Sequence, residues 1–150
     1  MRFLLTLASL TMLACNVRAD EYEFLDPSTG KTWSPSIGHI IGGSGNYPYM
    51  SQYAADFVST NYNDWRIPTL AEMQEAIANG TIQRINQTNI FGMYISYANG
   101  SGALVWTSTR RGNKNWAVDI RFDMNGSVIS SRAFLTEYKL SDIHSYMVRP

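Results

Sequence analysis

The chain has 150 residues, of which 45% are hydrophobic and 13% aromatic, and this composition suits one globular domain with a substantial core. Its 12 basic residues are balanced by 12 acidic ones. A surface without net positive charge has no overall field that would attract nucleic acid, so we expect no nucleic-acid partner.

The first nineteen residues are typical of an export signal. Met1-Arg2 provides a positive start, and residues 3–14 form an apolar run. The run is too short for a membrane span, so we expect a signal peptide over residues 1–19 and a single domain over residues 20–150. We therefore expect an exported protein that is periplasmic, secreted or located at the cell surface.

Two cleavage positions remain open. Residues 17–19 (VRA) suit an ordinary signal peptidase, whereas residues 12–15 (MLAC) resemble a lipobox that departs from the usual pattern at two positions. The sequence slightly favours cleavage after Ala19. If the lipobox is used instead, Cys15 is acylated and the protein is an outer-membrane lipoprotein with a lipid anchor. Cys15 is the only cysteine, so neither product forms an internal disulfide.

The first part of the mature chain predicts a hairpin, a loop and a helix. Residues 20–33 alternate aromatic and acidic side chains around the turn-rich segment DPSTG, which indicates a β-hairpin. Residues 34–49 are rich in glycine and proline and predict a surface loop. Residues 49–58 predict a helix whose apolar stripe is formed by Tyr53, Ala54 and Phe57.

The stretch NDWRIPTLAEM, residues 63–73, predicts the start of a second helix. Thr69 and Glu72 fit a capping box, in which hydroxyl and carboxylate each satisfy a free backbone N–H. Asn79-Gly80 is expected to end the helix. The core face of this helix is expected to consist of Leu70, Met73, Ala76 and Ile77.

The adjacent Trp65 and Arg66 in the same stretch are interpreted as scaffold rather than as a grip on a substrate. Trp65 is expected to point inward, and Pro68 to end the extended segment before the helix. We expect Arg66 to pair with a carboxylate, such as that of Asp64 or Asp119, or with backbone carbonyl groups.

The remaining chain is rich in β-strand patterns. Residues 104–109 predict a strand that enters a polar, basic loop over residues 110–115. Residues 116–123 then alternate, with one apolar face and one charged face. A strand over residues 127–134 and a closing strand over residues 146–149 complete the pattern. Two helices followed by a mostly antiparallel sheet indicate an α+β domain.

The segment DMNG, residues 123–126, invites a calcium interpretation. It supplies only two of the three alternating oxygen ligands that a calcium loop places before its glycine, and it lacks the distal glutamate. A hairpin turn between two strands is the better interpretation.

Residues for catalysis are scarce. His39 and His144 are the only histidines, so a zinc site of ordinary composition lacks ligands. The glycine-rich segment GGSGNYP lacks the final glycine of a nucleophile elbow and the lysine of a phosphate loop. We therefore expect no enzyme, no catalytic residues, no cofactor and no metal.

The segment TSTRRGNKNW is the candidate for ligand binding. Arg110, Arg111 and Lys114 lie within five residues, next to Asn113 and Trp116. Guanidinium and ammonium groups bind the sulfate, carboxylate or phosphate groups of a glycan or a protein partner. The alternative is a solvated loop tip that is merely basic, and the sequence alone favours this alternative.

Taken in order, the segments DPSTGKTW, NDWRIPTLAEM, VWTSTR, WAVDIRFDMNGSV and SYMVR resemble the Lcl C-terminal domain family over residues 24–150. The structural signature of the resemblance consists of Trp65, Arg66, Pro68, Thr69 and Trp106. It implies a variant of the C-type lectin-like fold, with two helices flanking antiparallel strands and both termini in the sheet. It brings no catalytic residues.

The chain departs from that family at its end, because it stops at residues 148–150 (VRP) without a cysteine. It also lacks the Glu-Pro-Asn, Gln-Pro-Asp and Trp-Asn-Asp triplets of calcium-dependent lectins, so calcium-dependent sugar binding is not expected. The resemblance implies an exported bacterial module for adhesion or ligand binding, whose partner outside the cytoplasm is a glycan or a surface protein. The alternative is a structural or assembly subunit of an envelope, pilus or secretion complex.

Overall fold

A computed structural model describes residues 23–34, 46–56, 62–87, 102–137 and 143–150. The expected signal peptide, with Cys15, and most of the expected loop over residues 34–49 lie outside these ranges. In chain order the described elements are β1 (Phe24–Leu25), β2 (Thr32–Ser34), α1 (Tyr47–Asp56), α2 (Leu70–Ala78), α3 (Thr81–Gln87), β3 (Gly102–Arg111), β4 (Lys114–Phe122), β5 (Val128–Glu137) and β6 (Met147–Arg149).

Two antiparallel three-stranded sheets and the helices make the described chain a mixed α+β structure, which confirms the predicted class. The terminal sheet has the strand order β1-β2-β6, and the central sheet has the order β3-β4-β5. In the terminal sheet Phe24 lies opposite Trp33, and Trp33 lies opposite Val148. The predicted first hairpin and closing strand therefore both form, and they pair with each other.

The central sheet is covered on both faces. Residues opposite each other in an antiparallel ladder share a face. The rows Val105–Val118–Ala133 and Trp106–Ala117–Phe134 consequently face opposite sides of the sheet. The sequence predicted a second face formed by Ala117 and the charged residues Asp119, Arg121 and Asp123, of which Asp123 follows the end of β4. Ala117 is fully buried there, and only Asp119 and Arg121 give that face its charge.

Each face of the central sheet has its own apolar cluster. The first cluster joins the sheet to α2, α3 and the terminal sheet, with Trp33, Met73, Ile82 and Tyr146 among its buried members. The second joins it to α1 and to the segments before α2 and before β6, with Met50, Trp65, Trp106 and Ile143 among its members. The central sheet is therefore a middle layer between two apolar clusters.

Helix α2 begins and ends as the sequence predicts. Glu72 N–H donates to Thr69 Oγ1 at 3.2 Å, and Thr69 N–H donates to Glu72 Oε2 at 2.8 Å, so the capping box is complete. Asn79 caps the end, and Gly80 follows with a φ of 78°. The predicted core face is confirmed, since Met73 and Ala76 are buried and Leu70 and Ile77 pack against them.

Helix α3 was not predicted, so the expectation of two helices was wrong. It starts directly after Gly80 and is only seven residues long. Its apolar signal consists of Ile82 and Ile85, both fully buried. Two apolar residues in a polar segment are too weak a pattern to indicate a helix without knowledge of the surface they pack against.

Helix α1 starts at Tyr47, two residues before the predicted start, because the Asn46 side chain accepts a hydrogen bond from Tyr49 N–H at 3.1 Å. Ala54 is buried as expected, and Met50 is a further buried residue. The predicted third member of its stripe, Phe57, lies outside the described residues.

A buried carboxylate ties the first hairpin to the helices. Asp26 is fully buried, and it accepts hydrogen bonds from Ser28 and Thr29 in its own turn. Thr81 Oγ1 donates to it at 2.7 Å, and the guanidinium group of Arg84 approaches to 3.3 Å. Burial alone would raise the pKa of Asp26, but the hydrogen bonds outweigh it and hold this pKa well below its ordinary value.

Candidate functional site

The expected basic loop over residues 110–115 is a hairpin instead. Strand β3 continues to Arg111, and β4 begins at Lys114, so only Gly112 and Asn113 form the turn. Gly112 has a φ of 62°, and no described residue other than glycine has a positive φ. Glycine at the first central position is what a type II′ hairpin turn requires. The loop prediction was wrong because polar side chains are compatible with a strand that extends into solvent.

The base of this hairpin is held by side chains that the sequence did not single out. The ladder between β3 and β4 shifts register between Trp106 and Arg110. Within this bulge Thr107 Oγ1 donates to Trp116 O at 2.7 Å, and the amide of the fully buried Asn115 donates to Thr107 O at 3.3 Å. The hairpin is therefore fixed at the position where it leaves the core.

The same base joins the two motifs that carry the family resemblance. Ser108 N–H donates to Pro68 O at 2.8 Å, and Leu70 N–H donates to Thr109 Oγ1 at 2.9 Å. The start of α2 and the strand of the hairpin are thus connected by two hydrogen bonds, one of which satisfies a free N–H group of the first helical turn.

The register of the hairpin sorts the predicted site residues onto different faces. Arg111 lies opposite Lys114, which lies opposite Glu137, and Trp116 lies opposite Leu135. Because side chains alternate along β4, Lys114 and Trp116 share one face. We call this surface the tip face, and it consists of Arg111, Lys114, Trp116, Leu135 and Glu137.

The other two predicted site residues do not belong to the tip face. Arg110 lies opposite Asn115, in the row that faces the other side of the sheet. Asn113 is exposed in the turn. The structure therefore brings together Arg111, Lys114 and Trp116 and places Arg110 behind them.

The cations of the hairpin differ from most others in the part of the chain that the structure describes. There, Lys31, Arg66, Arg84, Arg121 and Arg149 each pair with a carboxylate. Within the same residues, four cations have no carboxylate within 4.0 Å, namely Arg110, Arg111, Lys114 and Arg132. The first three of these unpaired cations lie at one end of the β3–β4 hairpin. All four are exposed.

The ring of Trp116 adds an apolar element to the tip face. This side chain is only half-buried, unlike Trp33, Trp65 and Trp106, which are almost fully buried. Leu135 opposite it is half-buried as well. A flat, partly exposed ring next to two cations provides a stacking surface in addition to charge.

The signature residues before α2 lie in the core or at its cap. Trp65 is 3% exposed and Trp106 is 0% exposed, and the ring of Trp106 meets that of Tyr47 edge-on at 5.7 Å. Pro68 is buried, and Thr69 closes the helix cap. Trp65, Pro68 and Trp106 are thus buried in the fold, and Thr69 is partly exposed at the helix cap.

Arg66 pairs with a carboxylate, as expected, but with neither of the two that were named. Its guanidinium group binds Glu72, whereas Asp64 pairs with Arg149 and Asp119 pairs with Arg121. The hydrogen bond from Arg66 is the main reason why the pKa of Glu72 falls from 4.5 to about 2. The backbone alternative is represented only by a long contact from Arg66 Nη1 to Ile67 O at 3.4 Å.

Of the residues considered for catalysis or for a metal, the structure describes His144 and Asp123. The backbone of His144 bridges to β3, through Trp106 N–H to His144 O and His144 N–H to Leu104 O, both at 2.9 Å. His39 lies outside the described residues. Asp123 accepts hydrogen bonds from the N–H groups of Asn125 and Ser127 at 2.8 Å, as a hairpin turn requires.

Neither a metal-binding cluster nor a membrane-spanning helix is found among the described residues. They contain no cluster of three or more His, Cys, Asp or Glu side chains that could hold a metal ion. Among their helices, none is long and apolar enough to cross a membrane.

Known proteins do not extend these observations. No family model matches the chain, and no curated protein or solved structure matches it.

Proposed function

We propose that this chain is an exported, non-enzymatic binding module that uses the end of the β3–β4 hairpin to bind anionic groups of a glycan or of a surface protein. One observation carries the proposal: three of the four unpaired cations in the described chain lie at this end, namely Arg110, Arg111 and Lys114. Elsewhere the chain pairs its cations with carboxylates, so three unpaired cations at one projecting turn are available to an anionic ligand.

The proposed fold is a variant of the C-type lectin-like fold, as in the Lcl C-terminal domain family. Three features support it: the first hairpin pairs with the last strand, the helices lie between these pairing partners in sequence, and the two signature motifs are hydrogen-bonded to each other. The proposed location outside the cytoplasm is supported by the signal-like residues 1–19.

Retention on a heparin column tests the binding proposal with a matched pair of variants. Arg111→Ala and Arg132→Ala each remove one exposed, unpaired guanidinium group from the central sheet, so both change the net charge equally. We expect Arg111→Ala, and more strongly the Arg110→Ala/Arg111→Ala double variant, to elute at lower salt than Arg132→Ala. Equal elution of both single variants would show that retention reflects net charge alone, and the hairpin would be excluded.

A glycan array then asks which sugars are bound. Binding that is abolished in the Arg110→Ala/Arg111→Ala variant, while its melting temperature stays within about 2 °C of the parent protein, supports the proposal. An array without signal above background, together with no retention on the column, would overturn it.

The second candidate function is assembly into an envelope, pilus or secretion complex. Strand β5 favours it, because its ten residues form an edge of the central sheet and, within the described chain, pair only with β4. Residues 129–132 of this strand are all exposed, and an edge of this kind accepts an added strand from a partner.

Lysines on an edge strand oppose strand addition, so Ile129→Lys/Ser131→Lys is the appropriate variant for this candidate. If the protein is an assembly subunit, a partner purified with the parent protein will rebind it in recombinant form and will not rebind the variant. A partner that binds both proteins equally, or a protein that remains monomeric with no partner at native abundance, would count against assembly through β5.

A further inference from the structure

Glu137 lies at the end of β5, beside the cations of the hairpin. It is exposed, and the register places it opposite Lys114, which in turn lies opposite Arg111. Directly opposite side chains in an antiparallel pair have Cβ atoms about 5 Å apart. One carboxylate is therefore the direct cross-strand neighbour of Lys114, and Arg111 lies one strand further away on the same face.

This carboxylate has no ion-pair partner among the residues that the structure describes. In the part of the chain that the structure describes, each salt bridge within 4.0 Å joins other residues, and none joins Glu137 to Lys114. Side-chain hydrogen bonds to Glu137 are likewise absent from that part. Its two oxygen atoms are thus available to accept hydrogen bonds from a ligand, while Arg111 and Lys114 are available to donate them.

We propose that Glu137 determines the specificity of the tip face, by accepting hydrogen bonds from hydroxyl groups of a ligand whose anionic group binds Arg111 and Lys114. This inference rests on the proposed function of the hairpin. The ligand class that fits is a sugar chain with few charges, carrying at most one carboxylate on each ring. Its hydroxyl groups contact Glu137, and the apolar face of a ring stacks on Trp116.

Glu137 discriminates between ligands because a carboxylate affects hydroxyl groups and anions in opposite ways. A hydroxyl group donates a charge-assisted hydrogen bond to it, whereas a second anionic group bound nearby is repelled. At the separations that neighbouring strands impose, and with solvent screening, the repulsion corresponds to a loss of about threefold to tenfold in affinity. Densely charged polymers therefore lose affinity at this site, and sparsely charged ones do not.

The test compares Glu137→Gln with the parent protein on two polymers at one ionic strength. Polygalacturonate carries one carboxylate on each sugar ring, and heparin carries several anionic groups on each disaccharide. We expect the substitution to raise the affinity for heparin about threefold to tenfold. The affinity for polygalacturonate is expected to stay the same or to fall, because glutamine is a weaker acceptor than a carboxylate.

Glu75→Gln is the matched control, because it neutralises another exposed acid, one that faces Lys31 at 3.6 Å rather than the hairpin. It should leave the ratio of the two affinities unchanged. If Glu137→Gln raises both affinities equally, or changes neither, Glu137 does not determine specificity and the inference is overturned.

A separate variant distinguishes failure of this inference from failure of the proposed function. Arg111→Ala/Lys114→Ala removes both cations of the tip face and should abolish binding of both polymers. If it does not, the hairpin is not the binding site, whatever the result with Glu137. If the double variant loses binding to both polymers while Glu137→Gln leaves the affinity ratio unchanged, the hairpin is still the binding site and only its proposed selectivity is overturned.

Discussion

Arg66 and Glu72 are joined by two parallel hydrogen bonds, from Nη1 to Oε2 at 2.8 Å and from Nη2 to Oε1 at 2.7 Å. Glu72 Oε2 also accepts the N–H group of Thr69. One carboxylate therefore closes the cap of α2 and anchors the arginine of the signature motif. This shared use supports a structural role for an arginine that is half-exposed.

Replacing this arginine should lower stability before it affects ligand binding. Arg66→Ala removes both hydrogen bonds to Glu72, but the Arg66 side chain is 46% exposed, so screening by solvent limits the loss to about 1 kcal/mol. We expect a melting temperature about 3–5 °C lower and unchanged retention on heparin. Arg66→Lys, which keeps the charge but loses the two-point geometry, should be intermediate. A fully folded Arg66→Ala protein that has lost only ligand affinity would contradict this interpretation.

The stability of the protein should depend on pH through the titration of the Glu72 carboxylate. The folded-state pKa of Glu72 is about 2, below the ordinary value of 4.5, so its contribution to stability is present above about pH 4.5 and is lost as the pH falls toward 2. The pKa of Asp26 is lowered as well and adds to the loss in acid. Melting temperatures measured from pH 7 to pH 2 should fall most steeply within this window.

Glu72→Gln gives the comparison for that measurement. The variant should be less stable at pH 7 and should lose less stability between pH 4.5 and pH 2, because glutamine does not titrate. Parallel curves for the two proteins would mean that Glu72 does not gain its charge-dependent bonds on folding.

Asp26 should be the more sensitive carboxylate. Asp26→Ala removes acceptors used by its own turn and by Thr81 and Arg84, and it leaves buried donors without a partner. We expect a loss of about 3 kcal/mol, measured by urea unfolding. Thr29→Ala removes only one of these bonds and should lose about 1 kcal/mol. Equal effects of the two substitutions would show that the turn, and not its link to the helices, stabilises the fold.

The features that the sequence predicts well depend on residues close together in the chain. Thr69 and Glu72 of the capping box are three positions apart, and Asp123 and Ser127 of the turn are four positions apart. By contrast, Asp26 meets Thr81 across 55 positions, and no local pattern signals that contact. A sequence shows which polar residues need a hydrogen-bond or ion-pair partner when they are buried. It does not show which partner the fold places next to them.

The candidate site shows the same division. The sequence alone located the basic segment and its tryptophan, because these residues are close together in the chain. It did not separate Arg110 from Arg111, since that separation depends on the register of a hairpin whose ladder contains a bulge. It also missed Glu137, which lies 23 positions from Lys114 in sequence and directly opposite it in the sheet. Strand pairing over such distances is set by the whole sheet.

A pair of glycine substitutions separates the stability of the hairpin turn from its function. Gly112 and Gly30 both have positive φ, 62° and 72°. Apart from the glycine and its two chain neighbours, no heavy atom of the described residues lies within 4 Å of the position that a Cβ would take at either. Alanine therefore strains only the backbone, by about 1 kcal/mol at each position. Both Gly112→Ala and Gly30→Ala should lower the melting temperature by a similar few degrees.

Binding should distinguish the two variants. Gly112 sets the turn that holds Arg111 opposite Lys114, so Gly112→Ala should elute from heparin at lower salt than Gly30→Ala. If both variants are retained as strongly as the parent protein, the geometry of the hairpin turn is irrelevant to binding. The three cations would then act only through their charge, and the tip face would lose its significance as an ordered surface.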